Sequence, residues 1–350
     1  MKRMAGNHAR WRIVAPVAVL AMLALAACEG GENGSDEPNE QPSTGSTPPA
    51  VPEGRIVFNR GEGGTENIVT YTINPDGSDE QQLFDGSSEN ARWSPDGTEI
   101  HIFCCGDGMV AHFIDPSTGG LRSLEPPDPA VELFCGGAWS PDGERVACEG
   151  FGVEDPSRNG LYWIRSSDGS GLEQVTSNAG GEDLPGDFSP DGDRLVFVRV
   201  GKGGQTGIFV TEVDGSGLHR MSPPHMLVDD IFGGSWSPHG SQILFVARET
   251  EDHHKAIWVV NADGTSPHQL RIDGTCGGTL SDPESSGCYS PSWSPDGTMI
   301  VFVRSTPDPS APAGFFENVY TVNADGSELF QVTNGGVDDN PDWGTPPASS

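Results

Sequence analysis

Apolar residues in this chain fall in strand-length runs, separated by clusters of Gly, Pro, Asp, Asn and Ser. Leu195-Val196-Phe197-Val198, Ile243-Leu244-Phe245-Val246 and Ile300-Val301-Phe302-Val303 are apolar throughout, as strands are when a sheet is covered on both faces. Each is preceded by an aromatic residue and a tight turn, and is followed after a loop by another apolar run and an Asp-Gly pair. The turn is written five times: Trp93-Ser94-Pro95-Asp96-Gly97, Trp139-Ser140-Pro141-Asp142-Gly143, Phe188-Ser189-Pro190-Asp191-Gly192, Trp236-Ser237-Pro238-His239-Gly240 and Trp293-Ser294-Pro295-Asp296-Gly297. A degenerate sixth copy, Pro341-Asp342-Trp343-Gly344, stands near the end.

The aromatic residues are spaced by 46, 49, 48, 57 and 50 positions. A period of that size made of short strands is the signature of propeller blades. One unit runs from Gly137-Ala138-Trp139 through Arg145-Val146-Ala147 and Leu161-Tyr162-Trp163-Ile164 to Leu172–Thr176, which makes four strands with Asp168-Gly169 as the second hairpin. The first apolar run, Arg55-Ile56-Val57-Phe58, matches a second strand and has no first strand before it. Asp342-Trp343 supplies the missing strand, so the expected fold is an all-β, six-bladed propeller of four-stranded antiparallel blades. Its ring closes when the C-terminal strand completes the first blade and removes the open edge.

The N-terminus reads as an export signal. Lys2, Arg3, Arg10 and Arg12 precede an apolar run from Ile13 to Ala27 that ends in Leu25-Ala26-Ala27-Cys28. That ending resembles a bacterial lipobox, which makes Cys28 the lipid attachment residue. Residues 29–51 are rich in Gly, Ser, Pro, Thr and Glu and cannot bury enough apolar surface to fold. The expected organisation is a signal peptide over 1–27, a lipidated cysteine and acidic linker over 28–53, a propeller over 54–344 and a tail over 345–350. The membrane would be reached through the lipid alone.

Removing the signal leaves 15 Lys and Arg against 51 Asp and Glu, a formal charge of −36. Such a surface repels nucleic acid and anionic headgroups. Excluding Cys28, six cysteines remain. Cys135 and Cys148 flank a turn centre symmetrically, and Cys276 and Cys288 would close the longest inter-blade loop. Cys104 and Cys105 would then be a vicinal pair or free thiols, although spacing does not choose among the pairings that six cysteines allow.

The repeat resembles the TolB-type six-bladed propellers over about residues 54–344, through its Trp-Ser-Pro-Asp-Gly turn and its later Asp-Gly hairpin. The resemblance implies a protein-binding platform of the cell envelope or the non-catalytic propeller of a peptidase. The family's accessory N-terminal domain has no counterpart here. No Gly-x-Ser-x-Gly nucleophile elbow occurs, and no residue is singled out as catalytic or cofactor-binding.

The leading expectation is therefore a monomeric, exported, non-enzymatic scaffold that binds an envelope protein or extracellular ligand through its long-loop face, since variable loops on a rigid frame usually carry binding. The alternative is a metal-dependent carbohydrate-active enzyme, as in the related oligogalacturonate lyases, or a hydrolase. Its weak metal candidates are His225, Asp229, Asp230, Glu251, His253 and His254, because imidazole and carboxylate together suit a divalent transition metal. The repeated Trp residues read as packing anchors between blades, and Tyr289 and Phe315-Phe316 as exposed aromatic contacts.

Overall fold

The computed structural model describes residues 52–345 except 63–66, 85–87, 105–108, 137, 229–232, 274–275, 283–284, 312–313 and 335. Its strands form six antiparallel sheets. The first blade joins Asp338–Gly344 to Arg55–Glu62, Asn67–Ile73 and Gln81–Phe84; the second contains Ser88–Trp93, Ile100–Cys104, Ala111–Ile114 and Leu121–Leu124. The third contains Val131–Phe134, Arg145–Gly152, Gly160–Arg165 and Glu173–Gln174, and the fourth Glu182–Phe188, Arg194–Val200, Thr206–Glu212 and His219–Arg220. In the fifth, Leu227–Val228 and Ser235–Trp236 both pair Gln242–Arg248, followed by Ala256–Asn261 and His268–Gln269. Gly287–Trp293, Met299–Pro307, Phe315–Asn323 and Phe330–Gln331 make the sixth.

The ring closes as the repeat count requires. Arg55 pairs with Gly344, Ile56 with Trp343, Val57 with Asp342 and Arg60 with Asp338. Apolar packing then follows the junctions between blades. Val57 meets Trp93, Phe113 meets Trp139, Ala147 meets Phe188, Val210 meets Trp236, Ile257 meets Trp293 and Val301 meets Trp343, each within its own buried cluster. The six aromatic residues of the repeat are at most 8% exposed, which agrees with their reading as anchors. Every blade is thus an apolar slab covered by two neighbours.

The turns explain why the motif recurs. In the second blade Ser94 Oγ donates to Asp96 Oδ1 at 2.7 Å and accepts the Glu99 N–H at 2.9 Å, while Asp96 Oδ1 accepts the Thr98 N–H at 3.1 Å. Gly97 sits at φ +70°, a conformation that a Cβ disfavours. The fifth blade replaces this Asp with His239, and there Ser237 Oγ accepts the Ser241 and Gln242 N–H groups at 3.2 and 3.0 Å.

The inner strands begin earlier than the pattern indicates. In the third and fifth blades the inner edge also includes Val131–Phe134 and Leu227–Val228, well ahead of the aromatic residue. A bulge separates these parts from the aromatic residue in several blades, with Asn90, Ser290 and Asn340 at φ of +54°, +51° and +52°. An inserted residue shifts the two-residue alternation, which conceals the first half of each strand from a periodicity reading.

Two opposite junctions carry a buried polar staple. Between the third and fourth blades, Asp183 is fully buried. It accepts Thr176 Oγ1 at 2.5 Å, Arg199 Nε at 2.8 Å and Arg199 Nη2 at 2.6 Å. Between the sixth and first, Asp338 takes the same position, with Thr333 and Arg60 as donors and Arg60 Nε at 2.6 Å. Removing the cation would leave a buried carboxylate without its charge partner. Arg199→Ala is therefore expected to lower unfolding free energy by about 3 kcal/mol, whereas Arg165→Ala, at the exposed end of a strand, should change it by less than about 0.5 kcal/mol. Urea denaturation of the two variants checks the difference.

Candidate functional site

The repeated turns converge on the axis of the ring. There they form the mouth of a cavity of about 310 Å³. Its rim is built from Pro95, Pro141, Pro190, Pro238 and Pro295, and its wall from the aromatic anchors. Deeper in the wall, the residue just before each aromatic contributes one side chain per blade: Arg92, Ala138, Asp187, Ser235, Ser292 and Asp342. A strand places alternate side chains on opposite sides, so the blade that turns its aromatic residue into a junction turns the preceding residue toward the axis.

Two of these six residues do the same local job. Asp342 Oδ2 accepts the backbone N–H of Trp93 in the next blade at 2.9 Å, and Asp187 Oδ2 accepts that of Trp236 at 3.0 Å. Each carboxylate ties its own inner strand to the next one. Their surroundings then diverge. Asp342 Oδ1 also accepts Ser292 Oγ at 2.8 Å and lies 3.5 Å from Arg92 Nη1. Asp187 has Ala138 where Asp342 has Ser292, and Ser235 where Asp342 has Arg92. Burial pushes the Asp187 carboxyl up to about 7. Gly186, on the same wall, approaches Gly233 so closely that a side chain on either would run into the backbone of the other.

The opposite face carries the long loops and a second polar group. Tyr289 donates its hydroxyl to Glu317, whose carboxyl is pushed up to about 7 by burial. Lys255 Nζ lies 5.4 Å from the Tyr289 ring centre, and Ser290 Oγ lies 3.1 Å from Asp339 Oδ1. Tyr289 is thus a partly buried hydrogen-bonding residue, in contrast to the exposed aromatic expected from sequence, and Phe315 and Phe316 are half-buried. Phe103, Phe134 and Phe151 form a half-buried row with ring centres 6.0 and 5.9 Å apart.

The cysteine and histidine candidates are placed as follows. Cys135 is bonded to Cys148 and Cys276 to Cys288, with Cα separations of 4.0 and 5.6 Å. Closing loops of this length is worth about 3 kcal/mol each in the chain-entropy treatment. Cys28, Cys105, Asp229 and Asp230, and the side chain of Cys104, lie outside the described residues. His225 and Glu251 are exposed. His253 Nδ1 meets Thr250 Oγ1 at 2.7 Å, and His254 donates its backbone N–H to the Gly278 carbonyl. Among the described residues no three His, Cys, Asp or Glu side chains are grouped to hold a metal ion.

The sequence matches the TolB beta propeller domain family over residues 132–346. With the ring above, this defines the chain as a six-bladed propeller, and it belongs to the TolB β-propeller domain family. An uncharacterized protein of Agrobacterium fabrum is 30% identical over 230 residues, covering 61% of this chain and 69% of that protein. The crystal structure of TolB from Acinetobacter baumannii superposes with a TM-score of 0.60 at 19% identity, covering 83% of this chain and 67% of that one. An oligogalacturonate lyase in complex with manganese gives 0.50 at 14% identity, over 76% of this chain and 70% of that one. These two structural likenesses show a shared fold.

Two buried histidines escaped the sequence reading. His101 is fully buried in the second blade, with its ring 5.2 Å from that of Phe113 and 6.5 Å from that of Trp139. Burial, reinforced by nearby His112, lowers its pKa to about 3. The unfolded chain binds a proton at this residue below about pH 6.5 while the folded chain does not until about pH 3. Stability contributed by neutral His101 is therefore lost as pH falls through that window, by up to about 1.4 kcal/mol per pH unit. Relative to the parent protein, His101→Phe should gain stability steadily from pH 7 to pH 4. Paired denaturation curves at the two pH values check this, and a constant difference would refute it.

Proposed function

We propose that this chain is an exported lipoprotein, anchored through Cys28, whose propeller is a non-enzymatic scaffold that receives an envelope protein or extracellular ligand in the axial funnel. One observation carries the reading: a cavity on the ring axis is lined at the same register position by all six blades. A rigid funnel of this kind accepts a protruding segment without rearranging the frame, and most binding sites are concave and preformed. The match to the TolB domain family supports an extracytoplasmic address and a binding role. The cavity itself moves the expected contact from the long-loop face to the turn face, where short uniform turns make the rim. The half-buried phenylalanine row supports the loop face as a second contact surface.

Scaffold and metal-dependent enzyme make different demands. A metal-dependent enzyme needs a fixed set of ligands, and among the described residues His225, Glu251, His253 and His254 belong to no group of three metal-binding side chains. The scaffold needs only a rigid cavity and complementary polarity. A closed ring leaves only the short outer strands of its blades as sheet edges, which fits a monomer.

Cys28→Ala is expected to shift the protein from the membrane to the soluble fraction on cell fractionation. A photoreactive amino acid at Pro190, on the funnel rim, should yield one dominant crosslinked species in cells that the same group at Leu121, exposed away from the funnel, does not yield. Equal products from both positions, or none from either, would count against the funnel as the binding site.

A further inference from the structure

The ring has six-fold strand geometry, but its axial polar residues follow a two-fold plan. The first and fourth blades, three apart and so opposite each other, each place an Asp immediately before the aromatic residue and a second, buried Asp five positions before it: Asp342 with Asp338, and Asp187 with Asp183. Both Asp residues of each pair make equivalent bonds in the two blades. The copies differ at the two axial positions that flank the axial Asp, and on the blade before the first that position is Ser292, bonded to Asp342. On the blade after the first, the axial position holds Arg92, which faces Asp342 at 3.5 Å. On the blade after the fourth it holds Ser235, and on the blade before it Ala138. Both are small, so the space beside Asp187 opens into the cavity where the opposite side holds a guanidinium.

We propose that this notch is a recognition subsite for a cationic side chain, a guanidinium or ammonium group presented by an extended segment of the partner, with Asp187 as its counter-ion. The proposal rests on the funnel reading and gives it a chemical class of ligand. A carboxylate in a cavity wall is costly without a cation, and none of the ion pairs among the described residues involves Asp187. The chain itself displays the completed arrangement at Asp342, where a serine hydroxyl and a guanidinium occupy the places left open beside Asp187. The acidic surface adds long-range attraction for a basic segment. The charged groups on the funnel wall are Arg92, Asp187 and Asp342. Arg92 pairs with Asp342 and makes no ion pair with Asp187, although its charge, like that of Asp342, also acts on the Asp187 carboxyl. Because burial holds its carboxyl up near pH 7, deprotonation between pH 6 and pH 8 should strengthen cation binding.

The test uses the folded protein and two blocked peptides, acetyl-Gly-Ser-Arg-Ser-Gly-amide and the same peptide with citrulline, which keeps the shape of arginine without its charge. By NMR titration the arginine peptide should bind at least tenfold more tightly than the citrulline peptide at pH 8, with a smaller ratio at pH 6. Asp187→Asn should abolish the preference. Ser235→Arg should abolish it too, because it installs within the chain the cation that the ligand would bring. Equal binding of the two peptides, binding of neither at millimolar concentration, or a preference that survives Asp187→Asn would overturn the proposal. These outcomes are independent of the crosslinking result. A partner captured at Pro190 together with equal peptide binding would leave the scaffold standing and remove the cation subsite.

Discussion

Every blade of this protein has two apolar faces, and the only cover available to each face is another blade. That constraint admits no free end. An open stack would expose one slab at each terminus and leave a strand edge unpaired, so the chain must bring residue 344 back to residue 55. It does so with main-chain pairing between Asp338–Gly344 and Arg55–Glu62 and with the packing of Trp343 at the same junction. The Thr333–Asp338–Arg60 staple lies on the closing strand pair, where a buried, fully bonded carboxylate fixes register as well as contact.

Closure also creates the candidate site. The innermost strands are brought to a common axis, and their alternation sends the aromatic residue into each junction and its neighbour toward the cavity. The same period that builds the core therefore builds a ring of six axial side chains with no further instruction from the sequence. Function can then be varied at that ring without disturbing the packing. Replacing Arg92 with serine in the equivalent place, as Ser235 does, changes the charge of the wall and leaves the anchor untouched.

Much of the fold was legible because the information is local. A Ser-Pro-Asp-Gly turn declares its geometry through bonds within a few residues, such as Ser94 to Asp96 and Glu99, and the orphan Asp342-Trp343 is meaningful once the strands are counted. What stayed hidden depends on distant neighbours. The left-handed residues Asn90, Ser290 and Asn340 break the alternation and disguise the outer half of the inner strands as loop. Asp187 and Asp342 stand beside the most visible motif in the chain, but only the ring shows that they face one cavity and that one has a cation and the other does not. His101 and His112 read as ordinary strand residues until burial changes their chemistry. The loops drew attention by their variety, whereas the described cavity lies at the uniform turns.

Closure makes the ring one cooperative unit locked by its last strand. Native-state hydrogen exchange at the amides of Ile56, Val57, Trp343 and Gly344 tests it most directly. If closure holds the propeller together, the amides of this group that bond across the closing pair exchange only through global unfolding, with the same free energy as amides within the second-strand runs Leu195–Val198 and Ile243–Val246. Exchange of the closing strands through a much cheaper opening, while those runs stay protected, would show that the blades stand without the closure.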